Sequence, residues 1–402
     1  MTVEKYIHDN WMNAVRYFPE DEGDTIGLPF PYTVPGMDRN VFNEMYYWDT
    51  YFTNIGLILS DNFKQAKNNV DNMLYLVNKF GFMPNANRLW AIKRSQPPFL
   101  SYMVKDIYEN IKDKEWLFNA YSTLKIEYEY WQKSRITQSG LNRYYGDDDD
   151  IKFCSDFFCD RLKIETPRDE ETAKRYAQSF QSGAESGWDF SSRCGMDSYE
   201  FNWVDLNSLL YGLEKNMEYF SKELGTKEEV FWKKAMEKRC KLINELMWDE
   251  ERGAFFDYDF VNKKRSGILS AAAFYPLFTG LATGKQAESL IKLLDKLEMK
   301  YGISATENTD NLLGLQWDYP NGWPCLQFIA VKSLLNYGYV EEAKRIAKKF
   351  IYVVEENFIK TSQLWEKYNI ITGDISVSKE YATPPMLGWT GGTYLYFKTI
   401  ID

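Results

Sequence analysis

Six stretches of the chain crowd side chains that could grip and protonate a polar substrate. They are Tyr47-Trp48-Asp49, the loop from Asn85 to Gln96, Arg168-Asp169-Glu170, Gly187-Trp188-Asp189, Leu315 to Trp323, and Leu364-Trp365-Glu366-Lys367-Tyr368. Between them they offer carboxylates, indoles, amides and guanidinium groups. The chain has one histidine, His8, near its start. Ser-His-Asp and Cys-His catalysis, multi-histidine metal sites and two-histidine epimerisation are thereby disfavoured, and proton chemistry falls to carboxylates. Leu315-Gln-Trp-Asp-Tyr-Pro-Asn-Gly-Trp323 holds two indoles and an Asp in a fixed turn. It reads either as a sugar-binding rim or as a tryptophan-rich corner of the core.

Composition narrows the classes further. Aromatic residues make up 17% of the chain, with 13 Trp and 29 Tyr, more than a core of this size requires. Such rings suit the apolar faces of sugars. A net charge of −10 disfavours nucleic acid, whose phosphates need clustered Lys and Arg. No apolar run is long enough to cross a bilayer. Five cysteines, odd in number and without a C-x-x-C pair, fit a reducing compartment. With an N-terminus that lacks the pattern of a signal peptide, they predict a cytoplasmic protein. No cofactor or metal is expected. The acidic run Asp147 to Asp150 lacks the spacing of a calcium loop and reads as solvated.

The elements that must position these loops are helical and come in pairs. Periodicity predicts helices over about Phe42–Leu59 and the segment after Asp61 that Gly81 ends, then Phe99–Ile111 and Lys114–Lys133. Further pairs are expected at Asp205–Leu224 with Lys227–Met247, Leu269–Leu281 with Lys285–Met299, and Cys325–Asn336 with Val340–Phe358. A closing helix covers Pro385–Ile401. Ser134–Thr166 reads as irregular, and Trp248–Asp259 as a hairpin or turn. A tryptophan-bearing loop enters a helical hairpin twice, at Trp48 and at Trp323, as in an internal repeat. Hairpins that each need a neighbour to bury their apolar faces predict an all-α (α/α)6 barrel, residues 1–402 forming one domain with long loops at one end.

Several of these stretches resemble trehalase segments, in that family's order. Val34-Pro-Gly36 followed by Phe42-Asn-Glu-Met-Tyr-Tyr-Trp-Asp-Thr-Tyr51 resembles the first family signature, and Gln316 to Trp323 the second. Between them Pro84-Asn-Ala-Asn-Arg88, Arg94-Ser-Gln-Pro-Pro98, Glu185-Ser-Gly-Trp-Asp-Phe-Ser-Ser-Arg193 and Val204-Asp-Leu-Asn-Ser208 continue the match. The resemblance runs from about Val34 to Trp389. It implies an (α/α)6 barrel and inverting hydrolysis of an α-glucoside, α,α-trehalose first, with another α-glucoside or a mannosyl- or glucosyl-glycerate as the alternative. It implies Asp189 as general acid and Glu366 as general base. Sugar contacts carry over at Phe42, Trp48, Asp49, Asn85, Arg94, Gln96, Arg168, Glu170, Gly187 and Glu380, and Trp317 is expected to line the pocket.

The acid and base roles agree with elementary chemistry. Inversion needs two carboxyls roughly 6.5–9.5 Å apart, with a water between base and anomeric carbon. Only a closed fold can bring residues as distant in sequence as Asp189 and Glu366 together. Asp189 stands between Trp188 and Phe190, where desolvation favours a retained proton. Lys367, beside Glu366, is expected to turn away by simple alternation. The chain departs from the family at its first signature, where Val41 stands in place of an arginine and Arg39 lies on a longer loop. It departs again at Asp374 to Lys379, where the family has a glycine-rich lid. Both departures bear on the substrate. A binding protein that has lost catalysis is disfavoured by the presence of both carboxylates.

Overall fold

The computed structural model describes residues 1–39, 41–376 and 380–401. Fourteen α-helices occur among them: α1 Val3–Asn10, α2 Tyr47–Leu59, α3 Phe63–Phe80, α4 Leu100–Ile111, α5 Lys114–Ser134, α6 Ile151–Leu162, α7 Glu170–Ser186, α8 Val204–Leu224, α9 Glu229–Leu246, α10 Tyr275–Thr279, α11 Gly284–Ile291, α12 Pro324–Asn336, α13 Val340–Thr361 and α14 Gly388–Ile401. Helices α2, α4, α8, α10, α12 and α14 each touch the next, and α14 returns to α2. They close an inner ring. Helices α3, α5, α9 and α13 each pack on the inner helix that precedes them. Helix α1 lies against the outside, with Tyr6 edge-on to Phe358 of α13 at 5.0 Å. The architecture is the expected (α/α)6 barrel.

Sequence pattern explains which helix goes where. Inner helix α2 is buried from Tyr47 through Asn54, and α12 is buried almost throughout, as befits helices with apolar residues on every side. Outer helix α9 buries only Trp232, Arg239 and Ile243, one stripe of its surface. Inner-to-outer turns are short, covering 60–62, 112–113, 225–228, 280–283 and 337–339. Outer-to-inner connections are long, covering 81–99, 135–203, 247–274, 292–323 and 362–387. Every inner helix from α2 to α14 therefore starts at the same end, and the long loops gather there.

The structure corrects the segment expected to be irregular. Ser134–Thr166 contains α6, whose Cys154, Phe158 and Cys159 are buried against α7. The acidic run that precedes it is also structural. Asp150 caps α6 by accepting from the Phe153 amide, and Asp147 pairs with buried Arg135 at 3.0 Å. Helices α2 and α10 begin later than expected, at Tyr47 and Tyr275, and α11 ends at Ile291 rather than Met299. Trp248–Asp249 and Ala254–Phe255 form the expected hairpin.

Candidate active site

A pocket of about 520 Å³ opens where the inner helices begin. Trp48 and Asp49 reach it from the first turn of α2, and Asn85, Arg94 and Gln96 from the loop before α4. Arg161 enters from the last turn of α6, and Gly187 and Asp189 from just past the end of α7. Gln316, Trp317 and Trp323 precede α12, while Glu366, Tyr381 and Trp389 belong to the approach and first turn of α14. Five loops thus converge on one cavity, as a ring with parallel inner helices requires.

Buried polar contacts hold these loops in place. Glu185 accepts from Arg135 Nε at 2.9 Å, the Ser95 amide at 2.8 Å and the Tyr145 amide at 2.7 Å. The base of the Asp189 loop is thereby tied to two neighbouring segments. Asn85 donates to the carbonyls of Ser95 and Ala184, both at 3.0 Å, and Gln96 accepts from the Trp48 amide at 3.2 Å. Asp318 takes the Ser192 amide at 2.7 Å and the Leu315 amide at 2.9 Å, and so joins the Asp189 loop to the Trp317 loop. The Trp317 and Trp323 rings stack at 3.7 Å, and Trp317 meets Trp48 at 5.6 Å. Leu315 to Trp323 is therefore a tryptophan-rich core corner that also walls the cavity.

Three carboxyls meet here. Burial pushes Asp189 up to about 6, opposed by a backbone amide, Arg161 and Arg94, and reinforced by the charge of Glu366. Burial pushes Asp49 further, to about 8, with Glu366 and Asp189 adding to it against its own backbone amide. Glu366 is 3% exposed and accepts from the Tyr381 hydroxyl on both oxygens, at 3.0 and 2.9 Å. The Lys367 ammonium lies against its Oε2. Alternation was expected to turn Lys367 away, but it is fully buried and folds back, with its ammonium over the rings of Tyr381 and Trp323.

Of the residues singled out from the sequence, Phe42, Trp48, Asp49, Asn85, Arg94, Gln96, Gly187, Asp189, Trp317 and Glu366 line this pocket. Glu380 stands behind the wall and accepts from the Gln316 amide at 3.0 Å, its carboxyl pushed by burial to about 8. The structure places Arg168 and Glu170 outside the pocket lining. Arg168 lies just before α7, and Glu170 is the first residue of that helix. Both side chains are exposed, paired with Glu165 and Lys174. The guanidinium beside Arg94's in the cavity belongs instead to Arg161. It was missed because α6 was read as irregular, although Cys154, Phe158 and Leu162 recur at helical spacing. Tyr381 was missed with it. Val41 lines the mouth, while Val377, Ser378 and Lys379 of the altered lid lie outside the described residues.

Comparison with known proteins accords with this architecture. A family model described as Trehalase matches residues 2–401. The periplasmic trehalase of Xanthomonas oryzae is 34% identical over 92% of this chain and 68% of its own length. Among solved structures, neutral trehalase from Saccharomyces cerevisiae aligns with a TM-score of 0.78 and 26% identity, over 99% of this chain and 80% of that one. A GH63 mannosylglycerate hydrolase from Thermus thermophilus, solved with glucose, shares the fold at a TM-score of 0.66 and 15% identity, over 92% and 95% of the two chains. The expectation of a cytoplasmic protein is overturned. Relatives at 32–34% identity are named periplasmic and point to the periplasm. Free thiols do not separate the compartments, because Cys154, Cys159, Cys194 and Cys325 are buried and unpaired and so shielded from oxidants in either. A match over nearly the whole chain, on a six-hairpin ring with carboxylates in its cavity, makes this protein a glycoside hydrolase of the trehalase family.

Proposed function

We propose that the protein hydrolyses α,α-trehalose to two glucose molecules by a single inverting displacement. Asp189 protonates the glycosidic oxygen as the C–O bond breaks, and Glu366 takes a proton from the water that attacks the anomeric carbon. The observation that carries this reading is the contrast between two carboxyls in one cavity. Burial favours the proton on Asp189, raised to about 6, while Glu366 accepts hydrogen bonds from the Lys367 ammonium and the Tyr381 hydroxyl. Trp48, Trp317 and Asp49 supply ring faces and a polar group for the sugar. Trehalose is favoured by the names of the relatives at about a third identity.

A glycosylglycerate is the second reading. It is favoured by the Arg161 and Arg94 guanidinium groups in the cavity, which suit a substrate carboxylate. One experiment separates these readings and tests the mechanism. Proton NMR would follow the first minutes of reaction on trehalose, other α-linked disaccharides, and mannosyl- and glucosyl-glycerate. Trehalose cleaved with inversion gives equal α- and β-glucose, since the leaving half keeps its configuration. Appearance of α-glucose alone would refute the acid and base assignment, and turnover confined to the glycerates would replace the substrate.

A further inference from the structure

Glu366 carries an uneven set of contacts. Its Oε2 meets both the Lys367 ammonium and the Tyr381 hydroxyl, whereas among the described residues its Oε1 meets the hydroxyl alone. Lys367 is fully buried, and its ammonium rests 4.2 Å from the Tyr381 ring centre and 4.6 Å from that of Trp323. A buried ammonium is tolerated where a carboxylate partners it, and aromatic faces add to the attraction. The Trp323 face is itself fixed by the stack on Trp317 and by its indole N–H, which donates to the Gln316 carbonyl at 3.0 Å. The lysine is thus held from three sides.

The other groups acting on Glu366 are Asp49 at the start of α2, Asp189, the Cys325 thiol of α12 and Tyr381. When ionised, Asp49 and Asp189 oppose a negative charge on Glu366. Among the described residues Lys367 is the cation in contact with it. Resting on the assignment of Glu366 as base, we propose that Lys367 and Tyr381 are positioning residues that hold the Glu366 carboxylate in place and leave its Oε1 to receive the proton of the attacking water. In that step the water oxygen bonds to the anomeric carbon and one of its protons passes to Oε1. The glycosidic C–O bond breaks, and its electron pair stays on the leaving oxygen, which takes the Asp189 proton.

The test compares Lys367→Met, Lys367→Arg, Tyr381→Phe and Glu366→Gln by pH–kcat profile, with glucose binding as the check on a formed pocket. Lys367→Met should lower kcat about 10- to 100-fold at neutral pH. It should also move the acidic limb of the profile up by about one pH unit or more, because an adjacent opposite charge is lost. Glucose affinity should stay within about twofold, and Lys367→Arg should restore part of the limb. Tyr381→Phe should move the limb in the same direction, and it decides the matter if Lys367→Met does not bind glucose. A limb that stays in place in variants that bind glucose overturns the proposal while an inactive Glu366→Gln leaves the base assignment standing. A Glu366→Gln enzyme with full turnover sinks the base assignment itself.

Discussion

Asp49, Asp189 and Glu366 share one cavity but not one environment, and that difference determines how the activity should respond to pH. Asp189 is raised by burial to about 6, and its proposed role needs the proton present. As pH rises through about 6 the protonated fraction falls, so kcat should decline on the alkaline side. Asp189→Asn should lower kcat on trehalose by about 10²- to 10⁴-fold and abolish that alkaline limb, while glucose binding measured by calorimetry persists. An Asn variant with wild-type turnover would remove Asp189 from the mechanism. That Asp189 and Glu366 line one pocket could be expected from their motifs alone. The placement of Arg168 and Glu170 could not, since their neighbours in sequence do not say whether their side chains face the cavity or solvent.

At the scale of the element, the join from α7 to the Asp189 loop is a tight one. Gly187 closes α7 in the left-handed region, with φ 71°, and a Cβ there would stand 2.8 Å from the Trp48 ring. Glycine is needed on both counts, for the backbone angle and for the approach of the indole. Gly187→Ala should destabilise the protein by about 1–3 kcal/mol and displace Trp48 from the cavity wall. KM for trehalose should rise together with a lower midpoint in denaturant. An alanine variant with unchanged KM and midpoint would show that the loop accommodates a side chain. The same join explains why Glu185 is buried with so many donors. It fixes the last turn of α7, and Asp189 follows four residues later.

Across the whole molecule, the ring is closed by the pairing of α14 with α2, and this requires near-contact of backbones. A Cβ on Gly392 would lie 1.9 Å from the Phe52 carbonyl oxygen. The closed ring draws three carboxyls out of water, and stability should record it. Asp49 and Glu380 are raised to about 8 and Asp189 to about 6, against roughly 4 in the unfolded chain. Below about pH 4 these groups are protonated in both states. As pH rises further the unfolded chain ionises first, so stability falls until the folded groups also ionise, near 8 for Asp49. Asp49→Asn removes one such group. Its stability relative to wild type, read from urea unfolding, should improve between pH 5 and pH 8, and an equal difference at both would contradict a buried, protonated Asp49.

The amino-acid sequence by itself determined the paired helices and the family, and singled out Asp189 and Glu366, which line the pocket, because each is written in local pattern: apolar spacing, Trp-Asp and Trp-Glu-Lys motifs, and turn residues. Boundaries were less legible where a helix is short, as at α10 and α11, because few residues then repeat the period. Only the tertiary structure decided which side chains meet. It brought Arg161 into the cavity through a helix whose pattern was masked by an acidic run. It left Arg168 and Glu170 exposed and outside the pocket lining and folded Lys367 back onto Glu366, against the alternation expected of neighbours. Such placements depend on which ends of distant helices the closed ring brings together and on the pairing of buried charge, and neither is expressed in any local run of residues.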